Sequence, residues 1–459
     1  MFRPCELVTN VRGRDRTRNT TGSNHLRYVV DEEFLTDTMN EQCEVVITGI
    51  GVVSPIGIGN EPFCQSLRDG TSGIKPFTFP GAELLASGFG GSIEDFEAKA
   101  YVKPRKSLKV MCRVIQLGCA SAELAMQDAG LEPGQTNPDR LGVVFGNEML
   151  YGEAEDLADA VKACQEQDQF QYKQWGHEAM HRMYPLWLLK YLPNMTACHV
   201  GIRHDARSHS NSITMSDVSS LLAIIESIMV IQRGQADVMI AGGVGSRLGI
   251  TQMLYRGEQG ASQRTENPQG ASRPFDLQRD GTVNGEGGAT LILERGEYAR
   301  ARGATILGKI VGHSTNFAGA ATPDSLKNAI IASIQNSRSQ LPESRQTIGY
   351  VNAHGASTIN GDVAEARAIE HCLGQIPVTG LKSQFGNLGA GSGAVEMAAS
   401  VLTLESGIIP RTLNYEFPDP ACPVQVVAKP AQKSAEPTVL ILNHSSSGQA
   451  TSVIVTAPD

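Results

Sequence analysis

One acidic residue, Asp217, lies where a strand turns into a long apolar helix, within the stretch SNSITMSDVSSLLAIIESIMVIQRGQADVMIAGG. A carboxylate at the start of a helix accepts hydrogen bonds from free backbone N–H groups and is stabilised by the helix dipole. A carboxylate held in a cleft can instead transfer protons or carry a covalent intermediate. Three alternatives therefore stand for Asp217: a catalytic group, a helix cap, or a residue that has replaced a nucleophile.

The elements that must position Asp217 occur twice along the chain. The first copy consists of the strand EVVITGIGVV, a helix near SLKVMCRVIQLGCASAELAMQDAG, the strand RLGVVFG, the helix that opens at Asp217, and the strand ADVMIAGG. The second consists of ATILGKIVGHS, SLKNAIIASIQNSRSQL, IGYVNAHG, GAGSGAVEMAASVLTLESG and TVLILNHSSSG. Apolar strands alternating with helices predict buried, largely parallel sheets in an α/β/α/β/α arrangement, with the N-termini of the two Gly-, Ala- and Ser-rich helices close together.

Composition excludes several classes of protein. Of the 459 residues 41% are hydrophobic and 19% charged, with a formal net charge of -9, which is typical of a globular protein and not of one that binds nucleic acid. The nine cysteines form no C-x-x-C pair, so we expect reduced thiols in a cytoplasmic protein and no metal site. The longest apolar run is well short of the roughly 20 residues that span a bilayer, so no membrane segment is expected.

The repeat predicts two halves, residues 39–295 and 296–459. Residues 1–38 are polar and Arg-rich and lack the apolar segment of a secretory signal, which predicts a disordered extension or a mis-assigned start. An insertion over residues 147–212 contains both tryptophans and an aromatic, His-rich stretch. We expect it either to pack as a cap over the core or to bind substrate or a partner subunit.

From about Glu44 onward, six segments resemble, in order, the β-ketoacyl-(acyl carrier protein) synthases, the condensing enzymes of fatty acid and polyketide synthesis. These segments are VVITGIGVVSPIG, YLPNMTACHVGI, GQADVMIAGG, SRPFDLQRDGTVNGEGG, NAHGASTINGDVAEARAI and LKSQFGNLGAGSGAVE. The resemblance implies a thiolase-like fold with a duplicated α/β/α/β/α five-layer architecture. It implies acyl and malonyl thioesters of an acyl carrier protein as ligands, acyltransferase activity, a dimer, and neither cofactor nor metal.

The resemblance also implies a set of site residues, and some of the family's groups are missing. The family chemistry uses a Cys at the start of the first buried helix, two His residues that bind the malonyl thioester, and a Phe-containing gating loop. His354 matches the first His, Lys382 matches the active-site Lys, and Glu396 matches the acid that follows it. Asn387 occupies the position of the second His.

The gating loop and the nucleophile depart from the family further. In the loop, which is NHSSSGQAT here, Ser445 and Ser447 replace both Phe residues. A TAC triplet that ends at Cys198 imitates the family signature, but counting back without a gap from ADVMIAGG places the family Cys at Asp217. We therefore interpret Cys198 as a buried structural thiol and Asp217 as the residue in the nucleophile position.

These changes make condensation by the usual route improbable on chemical grounds. A carboxylate is a weak nucleophile, an acyl-aspartyl anhydride hydrolyses readily, and the negative charge repels a malonyl carboxylate, so the helix-cap role is favoured for Asp217. Asn387 can still donate a hydrogen bond to a thioester carbonyl, although it cannot exchange a proton. Ser216 or Ser219 could act as a nucleophile only with a nearby base.

Three functional hypotheses follow. The first is a non-condensing partner subunit that resembles a chain-length factor and forms a heterodimer with an intact ketosynthase. The second is an enzyme with altered acyl-transfer or malonyl-decarboxylase chemistry that depends on His354. The third is an acyl-binding homodimer without turnover.

Overall fold

The computed structural model describes residues 43–77, 81–85, 87–256, 260–319, 322–342 and 347–458. These residues belong to one folded unit. The extension predicted over residues 1–38 lies outside the described ranges.

The described residues form sixteen strands and twelve α-helices. The strands are β1 (Val45–Ser54), β2 (Gly57–Ile58), β3 (Ile74–Pro76), β4 (Phe89–Gly91), β5 (Leu141–Asn147), β6 (Gln165–Glu166), β7 (Gln169–Phe170), β8 (Ser210–Thr214), β9 (Val238–Ser246), β10 (Glu286–Arg295), β11 (Gly308–Phe317), β12 (Tyr350–Asn352), β13 (Pro377–Thr379), β14 (Gln425–Val426), β15 (Thr438–His444) and β16 (Gln449–Thr456). The helices are α1 (Asn60–Asp69), α2 (Ala98–Tyr101), α3 (Arg113–Asp128), α4 (Glu155–Ala163), α5 (Met195–His204), α6 (Ser219–Gln232), α7 (Ile250–Arg256), α8 (Gly296–Ala301), α9 (Pro323–Arg338), α10 (Ile359–Leu373), α11 (Lys382–Phe385) and α12 (Ser392–Leu404).

The predicted duplication is visible in the order of these elements. The chain passes through β1, α3, β5, α5, β8, α6, β9 and β10, and then repeats this order as β11, α9, β12, α10, β13, α12, β15 and β16. The first set lies side by side as β8-β5-β9-β10-β1, and the second as β13-β12-β15-β16-β11. Strands β1 and β11 pair with each other, so one sheet spans both sets. The division predicted after residue 295 stays a prediction.

The direction of the strands differs from the expectation of largely parallel sheets. Strand β5 pairs in parallel with β8 and β9, and β12 pairs in parallel with β13 and β15. The remaining long pairings, β9 with β10, β10 with β1, β15 with β16 and β16 with β11, are antiparallel. The expectation was wrong because a continuous apolar run reports burial on both faces of a strand and not the direction of its neighbours.

Helices α6 and α12 lie at the centre of the fold, and tertiary packing rather than helix propensity stabilises them. Helix α6 is rich in β-branched residues, which form helices poorly, yet Leu221, Ile224 and Ile228 are fully buried. Burying each such side chain contributes about 1.5–3 kcal/mol. The Ser220 hydroxyl accepts a hydrogen bond from the Ala394 backbone N–H at 3.0 Å, so the two helix N-termini lie together, as predicted.

A glycine allows α6 to approach the sheet closely. A Cβ atom added at Gly146, on β5, would come within 2.4 Å of the Ser219 backbone. Close approach fixes the start of α6 beside the carboxyl end of β5. Neighbouring parallel strands place their carboxyl ends at the same edge of a sheet, where α/β proteins bind ligands.

The stretch 147–212, predicted as an insertion, includes two elements of the repeat, because α5 and β8 correspond to α10 and β13. The remainder contains α4 and the short β6–β7 hairpin. Trp187 and Tyr191 pack against the hydrophobic core formed by α3, α5 and β5, and the Tyr191 hydroxyl hydrogen-bonds Asp156. Leu186 and Leu188 are exposed, so the segment combines a packed side with an exposed apolar side. Among the described residues, no helix has the length and apolarity needed to cross a membrane.

Candidate functional site

Asp217 lies in a 3₁₀ turn, Ser216–Val218, that leads directly into α6, and it is 7% exposed. The preceding residue, Ser216, has a φ of 53°, in the left-handed region that residues other than glycine seldom adopt. Neither this turn nor α6 has a side-chain cap hydrogen bond. The cap role predicted for Asp217 is therefore wrong, because its carboxylate is engaged by other side chains.

An ionic cluster formed by Glu148, Arg247 and Asp217 holds this carboxylate. The Arg247 Nη2 donates to Asp217 Oδ2 at 2.9 Å and to Glu148 Oε1 at 3.0 Å. The Ser216 hydroxyl also donates to Asp217 Oδ2, at 3.1 Å. All three charged residues are buried. A buried charge is tolerated only when it is paired and hydrogen-bonded, so these three groups depend on one another.

Glu148 and Arg247 were absent from the residues predicted from sequence. Glu148 directly follows β5, and Arg247 directly follows β9. A charged residue immediately after a buried parallel strand lies at the carboxyl edge of the sheet, where ligand sites form. That position was the signal that could have identified both residues.

The Arg247 cluster fixes the ionisation of Asp217. Burial alone would raise the pKa of Asp217, but the charge of Arg247, its hydrogen bond to the carboxylate and the charge of Lys382 hold the pKa well below its usual value. The same pairing, with both carboxylates, raises the pKa of Arg247 above its usual value against the effect of burial. Asp217 is therefore ionised at neutral pH, and it is a weak base and a weak nucleophile.

The two serines considered as alternative nucleophiles lack an effective base. The hydroxyl of Ser216 is hydrogen-bonded to the weakly basic Asp217 carboxylate. The hydroxyl of Ser219 accepts from the Met215 backbone N–H at 2.8 Å and donates to the Ser216 carbonyl at 2.6 Å. A serine needs a neighbouring base to attack a thioester, so this geometry favours neither residue.

His354, Lys382 and Glu396 form a second buried cluster at the site. The Lys382 ammonium donates to Glu396 Oε1 at 2.5 Å, to the His354 carbonyl at 2.7 Å and to His354 Nδ1 at 3.2 Å. Three donors thus meet three acceptors. Because Nδ1 accepts from a cation, we assign the imidazole hydrogen to Nε2, which makes His354 a hydrogen-bond donor at that atom.

Burial shapes the ionisation of the second cluster. It lowers the pKa of His354 well below the usual value, and the charge of Lys382 lowers it further although Asp217 opposes this, so the imidazole is neutral. Burial raises the pKa of Glu396 to about 7, although Lys382 and Asn443 oppose the shift. Glu396 can consequently accept a proton near neutral pH, which Asp217 cannot do.

Asn387 presents a hydrogen-bond donor to the site. Its Oδ1 accepts from the Gly389 backbone N–H at 2.9 Å and from the Ser392 hydroxyl at 3.2 Å. With the oxygen occupied at the start of α12, the amide NH₂ is the group that can meet a ligand. This orientation fits the sequence expectation that Asn387 can still donate to a carbonyl.

The turn after β15 contains Ser445 and Ser447, the two serines that the resemblance predicts at the positions of the family Phe residues. The hydroxyls of Ser445 and Ser447 are 2.6 Å apart, and the Gly448 N–H closes the turn on the Ser445 carbonyl at 3.0 Å. His444, at the end of β15, was not predicted as a site residue. Its ring centroid lies 4.3 Å from that of His354, and its Nε2 lies 3.8 Å from Glu365.

A cavity of about 580 Å³ joins these groups. Asp217, Arg247, His354, Asn387 and His444 line it, together with residues of the turn after β15. Three predicted residues, Asp217, His354 and Asn387, therefore face one space. Lys382 and Glu396 support His354 and are not among the lining residues, and the turn contributes Ser446 and Gly448 in place of Ser445 and Ser447.

Cys198 lies outside this group. It is on α5, half-buried rather than buried as predicted, and its thiol accepts a weak hydrogen bond from the Asn194 amide at 3.7 Å. It is not among the residues that line the cavity. Within the described part of the chain, no three His, Cys, Asp or Glu side chains are grouped so that they could hold a metal ion.

A duplicated α/β fold, with two buried helices that meet at a cavity lined by imidazole, amide and carboxylate groups, defines a thiolase-like protein. The chain belongs to the β-ketoacyl synthase family: residues 42–299 match the β-ketoacyl synthase N-terminal domain, and residues 305–416 match the C-terminal domain. It is a protein of the family that elongates fatty acid and polyketide chains.

Several relatives support this assignment. The 3-oxoacyl-[acyl-carrier-protein] synthase 2 of Synechocystis sp. is 34% identical, over 86% of this chain and 93% of that protein. A type II polyketide synthase ketosynthase, solved with its acyl-carrier protein and bound to the hexaketide, superposes with a TM-score of 0.75 at 28% identity, covering 91% of this chain and 100% of that chain. The ishigamide ketosynthase/chain length factor shares the fold, with a TM-score of 0.77 at 24% identity and the same coverage of 91% and 100%.

Proposed function

We propose that this chain is a non-condensing subunit of an acyl chain-elongation system, which pairs with an intact β-ketoacyl synthase in the manner of a chain-length factor. One observation carries the proposal. Asp217, the residue that we place in the nucleophile position, is a carboxylate that Arg247 holds ionised by a hydrogen bond of 2.9 Å. The site thus lacks the thiolate on which the family's acyl transfer depends.

The chemistry of a buried, ionised carboxylate supports this interpretation. Attack by Asp217 on a thioester would expel the thiol and form a mixed anhydride, which removes the negative charge paired with Arg247 and which water hydrolyses readily. The negative charge would also face the carboxylate of a malonyl group, and like charges repel strongly at a buried site. Neither loading nor decarboxylation is favoured by this geometry.

A surface next to the site supports pairing with another subunit. Strand β8 ends the described sheet on one side, and an edge strand presents backbone N–H and C=O groups to a partner. Met215, which follows β8, is exposed, and so is Ile202 on the neighbouring helix α5. We place the intact synthase subunit on this surface, so that its acyl chain would approach the start of α6.

A basic surface supports a role for an acyl carrier protein as well. Four exposed basic residues, Lys103, Arg105, Lys106 and Lys109, lie close together in the sequence of a chain whose formal net charge is -9. Such a concentration of charge favours an acidic partner and speeds association with it. We assign the carrier that serves the paired synthase to this surface.

Co-expression with an intact synthase tests the proposal. We expect a stable complex on purification, which Ile202→Arg weakens and Phe317→Arg, at another exposed apolar residue on β11, leaves intact. Intact-mass analysis after incubation with acyl- and malonyl-carrier protein should show no adduct on this chain and no loss of carbon dioxide. A stable acyl adduct, or malonyl turnover that His354→Ala abolishes, would contradict it and favour altered acyl-transfer or decarboxylase chemistry. A homodimer that excludes the synthase would favour the acyl-binding alternative.

A further inference from the structure

A second cavity, of about 830 Å³, approaches the one that contains the site. The two come together where β9 ends: Ser246 and Leu248 line the larger cavity, whereas Arg247, between them, lines the smaller. Consecutive residues of the chain thus border different spaces. Aromatic and aliphatic residues form much of the larger wall, among them Phe77, Ile93, Val114, Leu150, Tyr151 and Ile250.

The ionic cluster of Glu148, Arg247 and Asp217 connects the walls of the two cavities. Arg247 Nη2 binds Asp217, which lines the smaller cavity. It also binds Glu148, which stands two residues before Leu150 in the wall of the larger one. The Arg247 backbone N–H donates to the Gly285 carbonyl at 2.9 Å, so this residue is held at both ends. The cluster therefore lies where a passage between the cavities would run.

The cluster has little room to move. Arg247 is 6% exposed, Asp217 7% and Glu148 2%, so protein atoms surround all three side chains. A Cβ atom added at Gly389 would lie 2.4 Å from Glu148 Oε1, so the turn before α12 packs directly against the cluster. Turning Arg247 aside would leave two buried carboxylates without their cation, which is strongly unfavourable. The cluster should therefore stay closed when a ligand enters either cavity.

We propose that Glu148, Arg247 and Asp217 form a closed partition between the two cavities, so that the smaller cavity accepts only short-chain acyl groups. His354 and Asn387, in the wall of the smaller cavity, offer donors to the acyl carbonyl, and the chain beyond that carbonyl would end at the partition. The inference goes beyond the proposed function, because it concerns the size of the ligand that this chain holds, whether or not the chain pairs with a synthase.

Calorimetric titration of the full-length chain with straight-chain acyl-pantetheine amides, from acetyl to dodecanoyl, tests the inference. An amide is not transferred as a thioester is, so each probe stays intact. A methylene group that enters an apolar space raises affinity about fourfold. For the unaltered chain we expect affinity to rise over the first members of the series and to stop rising before octanoyl. A steady rise as far as dodecanoyl would overturn the inference, and so would the absence of binding by every probe.

Two variants locate the limit. Arg247→Ala, combined with Glu148→Gln and Asp217→Asn so that no carboxylate loses its cation, should join the cavities and let dodecanoyl bind at least about tenfold more tightly than butyryl. The matched control, Arg113→Ala with Glu286→Gln, removes an ion pair from the wall of the larger cavity alone and should leave the limit unchanged.

A limit that persists in the Arg247 variant, or that disappears in the Arg113 variant, would contradict the partition. If the Arg247 variant does not fold, the series on the unaltered chain still decides the question. None of these results bears on whether the chain forms a complex with a synthase.

Discussion

Two buried ionic clusters lie at one cavity, and they differ in composition. The cluster of Glu148, Arg247 and Asp217 shares one cation between two carboxylates. The cluster of His354, Lys382 and Glu396 joins one cation to one carboxylate and a neutral imidazole. The second consists of residues that the sequence resemblance matches to the family pattern, whereas the first contains the residue that we place in the nucleophile position. Asp217 is thus one part of a compensated group and not an isolated substitution.

The clusters also differ in how they respond to protons. Arg247 holds the pKa of Asp217 well below its usual value against the effect of burial, so Asp217 stays charged. Burial raises the pKa of Glu396 to about 7, so Glu396 can become neutral. The first cluster must be stabilised by its internal pairing, and the second can relieve a charge imbalance by binding a proton.

The largest effect is expected from Arg247→Met. This change leaves Asp217 and Glu148 buried together without a cation, and removing one partner from a buried ionic group costs about 3–5 kcal/mol. Urea denaturation should therefore show that much loss in the free energy of unfolding. The combined variant Asp217→Asn, Glu148→Gln, Arg247→Met removes the charges together and should recover most of it.

Arg300→Met is the matched control. Arg300 pairs with Glu44 at 2.6 Å, but its side chain is 52% exposed, so its loss should cost under about 1 kcal/mol. If Arg247→Met were no more destabilising than Arg300→Met, the compensated arrangement described for Asp217 would be incorrect.

A smaller loss is expected from Lys382→Met, in the second cluster. The change removes the cation next to Glu396, but Glu396 can take up a proton, so we expect about 2–3 kcal/mol near pH 7 instead of the full cost of a buried charge. The same denaturation experiment measures it. Lys327→Met, which removes a surface pair with Asp324, is the control and should have little effect. A loss equal to that of Arg247→Met would remove the distinction between the clusters.

The pH dependence of stability should separate the two carboxylates. The folded-state pKa of Glu396 is raised from 4.5 to about 7, so the folded protein binds more protons than the unfolded chain in this window, and this contribution to stability falls as pH rises. Relative to Glu396→Gln, the unaltered protein should lose stability with rising pH, by at most about 1.4 kcal/mol per pH unit.

Asp217→Asn provides the comparison for that measurement. The pKa of Asp217 is lowered, so its contribution is present above the ordinary value of 3.8 and is lost only as pH falls through the folded-state value below it. Between about pH 5 and about pH 8 the stability curves of Asp217→Asn and the unaltered protein should therefore run parallel. A slope that Asp217→Asn removes and Glu396→Gln retains would reverse our assignment of the two groups.

The two clusters also differ in how far sequence alone could predict them. His354, Lys382 and Glu396 stand in motifs that resemble a family, so their proximity was predictable. Glu148 and Arg247 stand far apart in the sequence, after separate strands, and only the packing of β5 against β9 brings them to Asp217. The prediction that Asp217 caps a helix was wrong for the same reason, because a local rule about helix starts cannot include an ion pair formed through tertiary structure. The prediction of largely parallel sheets was wrong because apolar runs carry no information about the direction of neighbouring strands.

The smallest effect is expected for Asp217→Cys, and it concerns the reactivity of the thiol that this variant introduces. Arg247 would then lie beside a thiol at the start of α6, and a neighbouring cation lowers the pKa of a thiol below its usual value of about 8.5. We expect alkylation of Cys at this position by iodoacetamide at neutral pH to be about tenfold faster than that of Cys198, as measured by peptide mass mapping. Condensation should not return, because Asn387 still cannot exchange a proton.

Cys198 serves as the internal reference, since it is half-buried on α5 and its one hydrogen bond comes from the neutral Asn194 amide. Adding Glu148→Gln to Asp217→Cys should raise the rate further, because Arg247 would then serve the thiolate alone. Equal rates for the two thiols would mean that Arg247 turns to Glu148 once Asp217 is gone. In that case Asp217 would not be needed to keep the Arg247 side chain in position. The first cluster would then consist of a Glu148–Arg247 pair, with which Asp217 makes an additional hydrogen bond.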